Sequence, residues 1–286
     1  MGGLRRLGVL GWPVAHSRSP AMHRAALAAI GRTDLTYQRL PVPREAFAET
    51  VRALSAAGFL GANVTIPHKE AALALADDAS AAAQAIGAAN TLTFTPDGTI
   101  AAENTDAPGL LAALGAPAPA SALVLGAGGS ARAAAYALKT AGADVAVWNR
   151  TPERARRLAH DLRVTAVTGE APAAEVLVNC TAAGLDDPAS TFKELPVAAD
   201  VLGEYAVVVD LVYRAGGTEL LRAARRRGCR VVDGLEVLVH QGASSFEIWT
   251  GARAPLDIMR RAARGEPQLP QLPPPAPGPR PGGHRA

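Results

Sequence analysis

The feature that most restricts the fold lies in the second half of the chain. Short β-branched runs return there at regular intervals: ALVLG, VAVWN, VTAVT, VLVNCT, VVVDLV and RVVDG. Most are separated by segments of helix or loop length. Runs that are apolar throughout, instead of alternating with polar residues, belong to strands buried on both faces, and a parallel sheet covered by helices meets that need. The rhythm predicts a doubly wound α/β unit over residues 116–236.

Within this unit, ALVLGAGGSARAAAYAL puts Gly126, Gly128 and Gly129 at a strand-to-helix turn. Glycines at such a turn let the backbone approach a pyrophosphate, and the helix start adds N–H donors and positive potential. Ala131 stands where the third glycine of this pattern usually is, and a small residue still permits close packing of helix on strand. About twenty residues on, an NAD site usually carries an acid for the ribose hydroxyl. Here the second strand ends in Asn149-Arg150-Thr151. No carboxylate repels a 2′-phosphate, and Arg150 and Arg154 are placed to grip one. Thr151-Pro152 reads as N-cap and first residue of the next helix. NADP is therefore expected over NAD, although both arginines also suit a solvated Arg-rich helix face.

The first third alternates strands and helices as well. LGVLGWP, LTYQRLPV and FLGANVTIP read as strands, SPAMHRAALAAIG and REAFAETVRALSAAG as helices, and two short Ala-rich helices fall between residues 68 and 88. TLTFTPDGTIAAENT reads as a hairpin turning at Pro96-Asp97-Gly98. The small, Pro-rich segment GAPAPAS at 115–121 is the expected joint between domains, and LEVLVHQGASSFEIWTG and APLDIMRRAARG close the fold as helices. Residues 265–286 are Pro-rich and expected to be a disordered tail.

Composition bounds the partners. The formal charge of +3, from 29 basic and 26 acidic residues, is near balance, which argues against nucleic acid. No apolar run is long enough to span a membrane, the start lacks a signal-peptide pattern, and the six histidines show no metal-ligand spacing. Cys180 and Cys229 form no CxxC pair and suggest a reducing, cytoplasmic setting.

Chemistry-bearing residues gather in the first half. In GANVTIPHKEAALAL, Asn63 and Thr65 are two apart and share a strand face. Pro67 suits the first position of a helix, which leaves Lys69 in the first turn, where the macrodipole disfavours a cation. Such a lysine is either a solvated surface residue or a proton donor. In PVAHSRSPAMH, Ser19-Pro20 reads as N-cap and first helical residue, and Ser17 and Ser19 could converge on a small anion. Asn90 heads the hairpin, and Asp106 precedes a proline and a helix, a place where an Asp is more often a cap than a catalyst.

Taken together these blocks resemble the shikimate dehydrogenase family. The resemblance runs in order to about residue 264: GWPVAHSRSPAMH, GANVTIPHK, IGAANTL, NTDAPG, GAGGSARA, NRTPERA, NCTAAG, DLVY and DGLEVLVHQGASSF. It implies reduction of 3-dehydroshikimate to shikimate with NADPH in chorismate and aromatic amino-acid biosynthesis. By matching position, Ser17 and Ser19 hold the ring carboxylate, and Thr65, Asn90 and Gln241 hydrogen-bond the ring hydroxyls. Lys69 and Asp106 form the catalytic pair, and Tyr213 lies near the substrate. Gly126, Gly128, Gly129, Ser130, Ala131, Asn149, Arg150, Thr151, Arg154, Thr181 and Gly234 line the cofactor groove; no metal is implied.

The implied architecture is an N-terminal α/β substrate domain, residues 1–115 completed by the C-terminal helices 237–264, plus a Rossmann NADP domain over 116–236. The active site lies in the interdomain cleft. The chain departs from the family at Ala215, where Pro is usual, at Ala183 and Leu185 in place of frequent Ser and Met, and at Val237 in place of Met. Homodimers are common in the family, though monomers occur. Two alternatives remain open. One is a quinate/shikimate or aminoshikimate-type dehydrogenase of the same superfamily; the other is a non-catalytic nucleotide-sensing protein.

Overall fold

Two six-stranded sheets organise the chain. The structure, a computed structural model, describes residues 5–214 and 216–266. Ala215 and the expected tail from residue 267 onward lie outside the described residues.

The first sheet and its helices follow one another as β1 (Arg5–Gly11), α1 (Ser19–Ala29), β2 (Leu35–Pro41), α2 (Phe47–Leu54), β3 (Phe59–Val64) and α3 (Lys69–Leu75). They continue as β4 (Asp78–Ala79), α4 (Ala81–Ile86), β5 (Thr91–Phe94), β6 (Ile100–Glu103) and α5 (Asp106–Leu114). The strand order is β2-β1-β3-β5-β6-β4. β1 pairs parallel with β2 and β3, whereas β5 runs antiparallel to β3 and β6 and makes the expected hairpin. The two-residue β4, parallel to β6 at the sheet edge, was not expected. Its Asp-Asp-Ala segment between two helices has no β-branched or alternating pattern to announce it.

The second sheet carries β7 (Ser121–Leu125), α6 (Gly129–Thr140), β8 (Asp144–Trp148), α7 (Pro152–Leu162), β9 (Thr165–Val167) and β10 (Val176–Asn179). Then come α8 (Thr191–Glu194), β11 (Val207–Asp210), α9 (Glu219–Arg226), β12 (Arg230–Asp233), α10 (Gly234–Thr250) and α11 (Leu256–Arg264). Its order is β12-β11-β10-β7-β8-β9, and every pair is parallel. This is the doubly wound sheet read from the β-branched runs. Val124, Val147, Val178 and Val209 are fully buried on it, as strands covered by helices on both faces require. The order reverses between β7 and β10, and ligands bind such sheets in the crevice beyond the strand ends at that point.

Helix α10 starts where β12 ends and leaves the second sheet. Its Val239, Ala243 and Phe246 complete the core formed by Leu7, Met22 and Tyr37 of the first unit. Near its end, the Trp249 indole donates to Leu92 O at 3.1 Å. Where α10 crosses α5, a Cβ on Gly109 would lie 2.7 Å from both the Cβ and the backbone N of Gln241. Only a glycine permits this approach, and the approach carries Gln241 to the space between the sheets.

Two helix starts differ from the sequence reading. α1 begins at Ser19 itself with Arg18 as its cap, and the Ser19 N–H donates to Ser17 Oγ at 3.3 Å. α3 begins at Lys69, not at Pro67. The His68 N–H closes a turn onto Thr65 O at 3.0 Å, so the fixed φ of Pro67 serves that turn instead. No helix among the described residues is long and apolar enough to cross a membrane.

Candidate active site

A cavity of about 190 Å³ lies between the two sheets. Ser17, Ser19, Thr65, Lys69, Asn90 and Asp106 line it from the first unit. Ser130, Thr181, Tyr213 and Gly234 line it from the second, and Gln241 reaches it from α10. Every residue expected at the substrate end thus meets in one space.

At its centre, Lys69 Nζ donates to Asp106 Oδ2 at 2.5 Å and to Ser130 Oγ at 2.9 Å. The side chains of Lys69 and Asp106 are 10% and 16% exposed, so the pair is largely shielded from water. Asp106 is free for this role because another residue caps α5: Asn104 Oδ1 accepts from the Ala107 N–H at 3.2 Å. Of the two places the sequence left open, Asp106 makes no cap bond to α5, and its carboxylate pairs with Lys69 instead. Lys69 is likewise buried and paired, not a solvated surface residue.

The neighbours fix this pair. Asn90 Nδ2 lies 2.9 Å from Asp106 Oδ1, 3.0 Å from Thr105 Oγ1 and 3.1 Å from Gln241 Oε1, and its Oδ1 accepts from the Thr105 N–H at 2.7 Å. Behind Asn90 stands Asn63, whose Oδ1 accepts from the Tyr37 hydroxyl at 2.8 Å and whose Nδ2 donates to Thr91 Oγ1 at 3.2 Å. Buried amides held at both ends have one available orientation. The sequence reading assigns no site role to Asn63 or Thr105. The alternation of Asn63 with Thr65, and the place of Thr105 beside Asp106, were the available signals.

At the other end of the cavity, Ser17 and Ser19 are buried beside Tyr213, and Arg39 donates to Ser17 O at 2.8 Å. Burial raises the Tyr213 hydroxyl above its ordinary pKa, against hydrogen bonding with Arg18 and Ser17, so it faces the cavity as a neutral donor. Cys180 also lines the cavity; burial pushes its thiol far up, which removes it as a nucleophile at neutral pH. Asp210 sits under the cofactor side with its pKa pushed up to about 6 by burial. Its Oδ1 accepts from Asn179 Nδ2 at 2.9 Å and from the Val212 N–H at 3.1 Å. Asn179 Oδ1 in turn accepts from the Thr181 hydroxyl at 2.7 Å.

The residues present fit a dinucleotide. A Cβ built on Gly128 meets no atom within 4 Å, which leaves open space above the glycine loop at the start of α6. Gly126, at φ 116°, occupies backbone space that other residues rarely adopt. Ala131 is fully buried in the sheet core, so only its backbone can face the groove. Beyond β8, Arg150, Thr151 and Arg154 are exposed, Asn149 Nδ2 donates to Thr151 O at 2.9 Å, and Thr151 caps α7 as expected, by its backbone and without a side-chain bond. Leu185 and Val237 line the cavity, and Ala183 is buried behind it.

A parallel sheet with a glycine loop at its switch point, facing a shielded ammonium–carboxylate pair across a cleft, defines a dinucleotide-dependent α/β oxidoreductase. Comparison with known proteins narrows the class. A model described as shikimate dehydrogenase substrate binding domain matches residues 9–92. Those described as shikimate/quinate 5-dehydrogenase and shikimate 5′-dehydrogenase C-terminal domain match 112–185 and 234–264. A shikimate dehydrogenase (NADP(+)) of Thermus thermophilus is 48% identical over 263 residues, which cover 91% of this chain and 97% of that one. The crystal structure of shikimate 5-dehydrogenase from another strain of Thermus thermophilus, in complex with NADP(H) and shikimate, superposes with a TM-score of 0.84 at 46% identity, covering 91% of this chain and 99% of that one. A quinate dehydrogenase from Corynebacterium glutamicum, in complex with NAD, follows at 0.78 and 32%, covering 90% and 98%. The chain belongs to the shikimate dehydrogenase family.

Proposed function

We propose that this chain reduces 3-dehydroshikimate to shikimate with NADPH, reversibly, with Lys69 and Asp106 as the catalytic pair. The observation that carries the reading is the Lys69–Asp106 contact, shielded and tied to the glycine loop through Ser130. When bound, NADPH supplies the hydride for the ring ketone. The protein handles the proton. The Lys69 ammonium hydrogen-bonds the oxygen on which charge develops and donates a proton to it, while Asp106 orients the ammonium and stabilises its charge. Ser17, Ser19 and Tyr213 hold the ring carboxylate, and Thr65, Asn90 and Gln241 fix the hydroxyls. Closure around the ring excludes water from this exchange.

Residues 1–115 with 237–264 serve as the substrate unit and 116–236 as the cofactor unit, a division supported by the packing of α10 and α11 on the first sheet. Two free cysteines support a reducing, cytoplasmic setting. A second reading, quinate with NAD, is disfavoured by Arg150 and Arg154 beyond β8, where an acid would favour NAD. The test is absorbance of reduced nicotinamide with shikimate or quinate as donor and NADP or NAD as acceptor. Rapid reduction with shikimate and NADP alone is expected. Preference for quinate or NAD refutes the assignment.

A further inference from the structure

A second cavity, of about 680 Å³, adjoins the active site and shares with it the wall formed by His16, Leu185, Val212 and Tyr213. Its lining is cationic. Arg18 and Arg39 come from the first unit, Arg214 and Arg225 from the second, and Arg264 from α11. Among the described residues only Asp233 and Glu266 oppose them there, and Arg264 already pairs with Asp233 at 3.4 Å. Arg39 and Arg214 donate to the carbonyls of Ser17 and Gly184 at 2.8 and 3.1 Å, which leaves their charge uncompensated. The guanidinium groups of Arg18 and Arg225 have no hydrogen-bond or ion-pair partner among the described residues.

Arginines scattered on a helix are ordinary solvated surface. Here, residues from separate elements converge on one concavity, in a chain whose total charge is only +3. Concave walls of low dielectric focus a field of one sign and raise the local concentration of the opposite ion. The wall they share with the active site includes Tyr213, beside the two serines that receive the ring carboxylate in the reading above. None of these arginines is needed for hydride or proton transfer.

We propose that this cavity is the entry vestibule of the active site: an arginine-lined concavity that attracts the carboxylate of the incoming ring substrate and delivers it to Ser17, Ser19 and Tyr213. The inference rests on the substrate assignment above. Its ligand class is a small monocarboxylate, held by long-range attraction and not by a dedicated fork of hydrogen bonds.

The experiment is kcat/KM for shikimate as a function of ionic strength, in the wild type, Arg225→Glu, Arg225→Gln and Arg230→Glu. Arg230 is exposed at the start of β12, outside the vestibule, so its reversal makes the same change in net charge elsewhere. In the wild type, kcat/KM falls as salt rises. Arg225→Glu lowers it roughly two- to fivefold at low salt and flattens the dependence, with kcat and the KM for NADP unchanged. Arg225→Gln gives about half that effect on a logarithmic scale, since it removes one charge instead of two. Arg230→Glu keeps the wild-type slope. Equal kcat/KM and slope in wild type and Arg225→Glu overturn the proposal, as does an equal loss in Arg230→Glu. Wild-type enzyme inert toward shikimate shows instead that the substrate assignment has failed, and the vestibule falls with it.

Discussion

Gly129→Ala tests the close packing of the glycine loop on Lys69. Gly129 is the first residue of α6, and its φ lies outside the left-handed region, so the backbone accepts alanine there. The obstacle is across the cleft. A Cβ at 129 would lie 2.7 Å from Lys69 Cβ, 3.1 Å from Lys69 Cδ and 3.4 Å from Ala88 Cβ. Ordinary carbon contacts are about 3.5–4.0 Å. Rotating the lysine side chain does not move its own Cβ, which is fixed by the backbone of α3. Relief requires α3 and α6 to separate, and Lys69 then leaves Ser130. Overpacking of this size costs about 1–3 kcal/mol in the arrangement that sets Gly129 against Lys69. That arrangement is disfavoured by about 5- to 150-fold, and kcat falls by a similar factor. Thermal unfolding stays near the wild-type midpoint, because alanine is a better helix former than glycine and the clash is confined to the contact of α6 with Lys69 and Ala88, outside the core of the second sheet. The assay pairs steady-state shikimate oxidation with a circular-dichroism melt. Wild-type kcat in the variant would show that the loop does not pack on Lys69 during turnover.

Further perturbations address other parts of the site. Lys69→Ala lowers turnover by about two to four orders of magnitude, as loss of a positioned acid does; turnover within a few-fold of wild type contradicts its role. Arg150→Ala raises the KM for NADP by about tenfold or more and leaves that for NAD unchanged, through loss of a charge-assisted contact to phosphate; parallel rises in both place Arg150 elsewhere. His23, fully buried with both ring nitrogens unpaired and stacked 4.3 Å from the Tyr37 ring, has its pKa lowered to about 3 by burial. The unfolded chain takes up this proton near pH 6.5 and the folded chain only near 3, so the stability held above 6.5 is lost as pH falls through that window. His23→Leu removes the loss, which amounts to about 5 kcal/mol across the window, and parallel unfolding free energies for variant and wild type at pH 4 and 7 refute it.

The elements legible in the sequence are those whose signal is local. The β-branched runs became the strands of the parallel sheet, and Pro96-Asp97-Gly98 became the turn between β5 and β6. Helix starts were read less well, because several polar residues compete for the same N–H groups. Asn104 caps α5, and Pro67 serves a turn ahead of α3. Periodicity carries no information on contacts between distant segments. The pairing of Lys69 with Asp106 follows only from the family resemblance, and the bond from Lys69 to Ser130, 61 residues away, has no signal in the sequence. The arginine vestibule was invisible for the same reason. Arg225 is one of three consecutive arginines at 225–227, and only the fold sets it across a cavity from Arg18.

Helix α10 makes the first unit discontinuous, and this bears on how the chain acquires its structure during synthesis. Leu7, Met22 and Tyr37 leave the ribosome early, yet the residues that cover them, Val239 to Met259, are among the last of the fold to emerge. Until then the face of β1, β2 and α1 stays open to water and to other chains. The second sheet, whose strands all lie between residues 121 and 233, has no such wait. The nascent protein therefore completes its cofactor unit before its substrate unit, reversing the N-to-C order in which domains generally fold. The final two helices act as a late clasp, and a chain cut short before them carries every strand of the second sheet beside an exposed apolar surface.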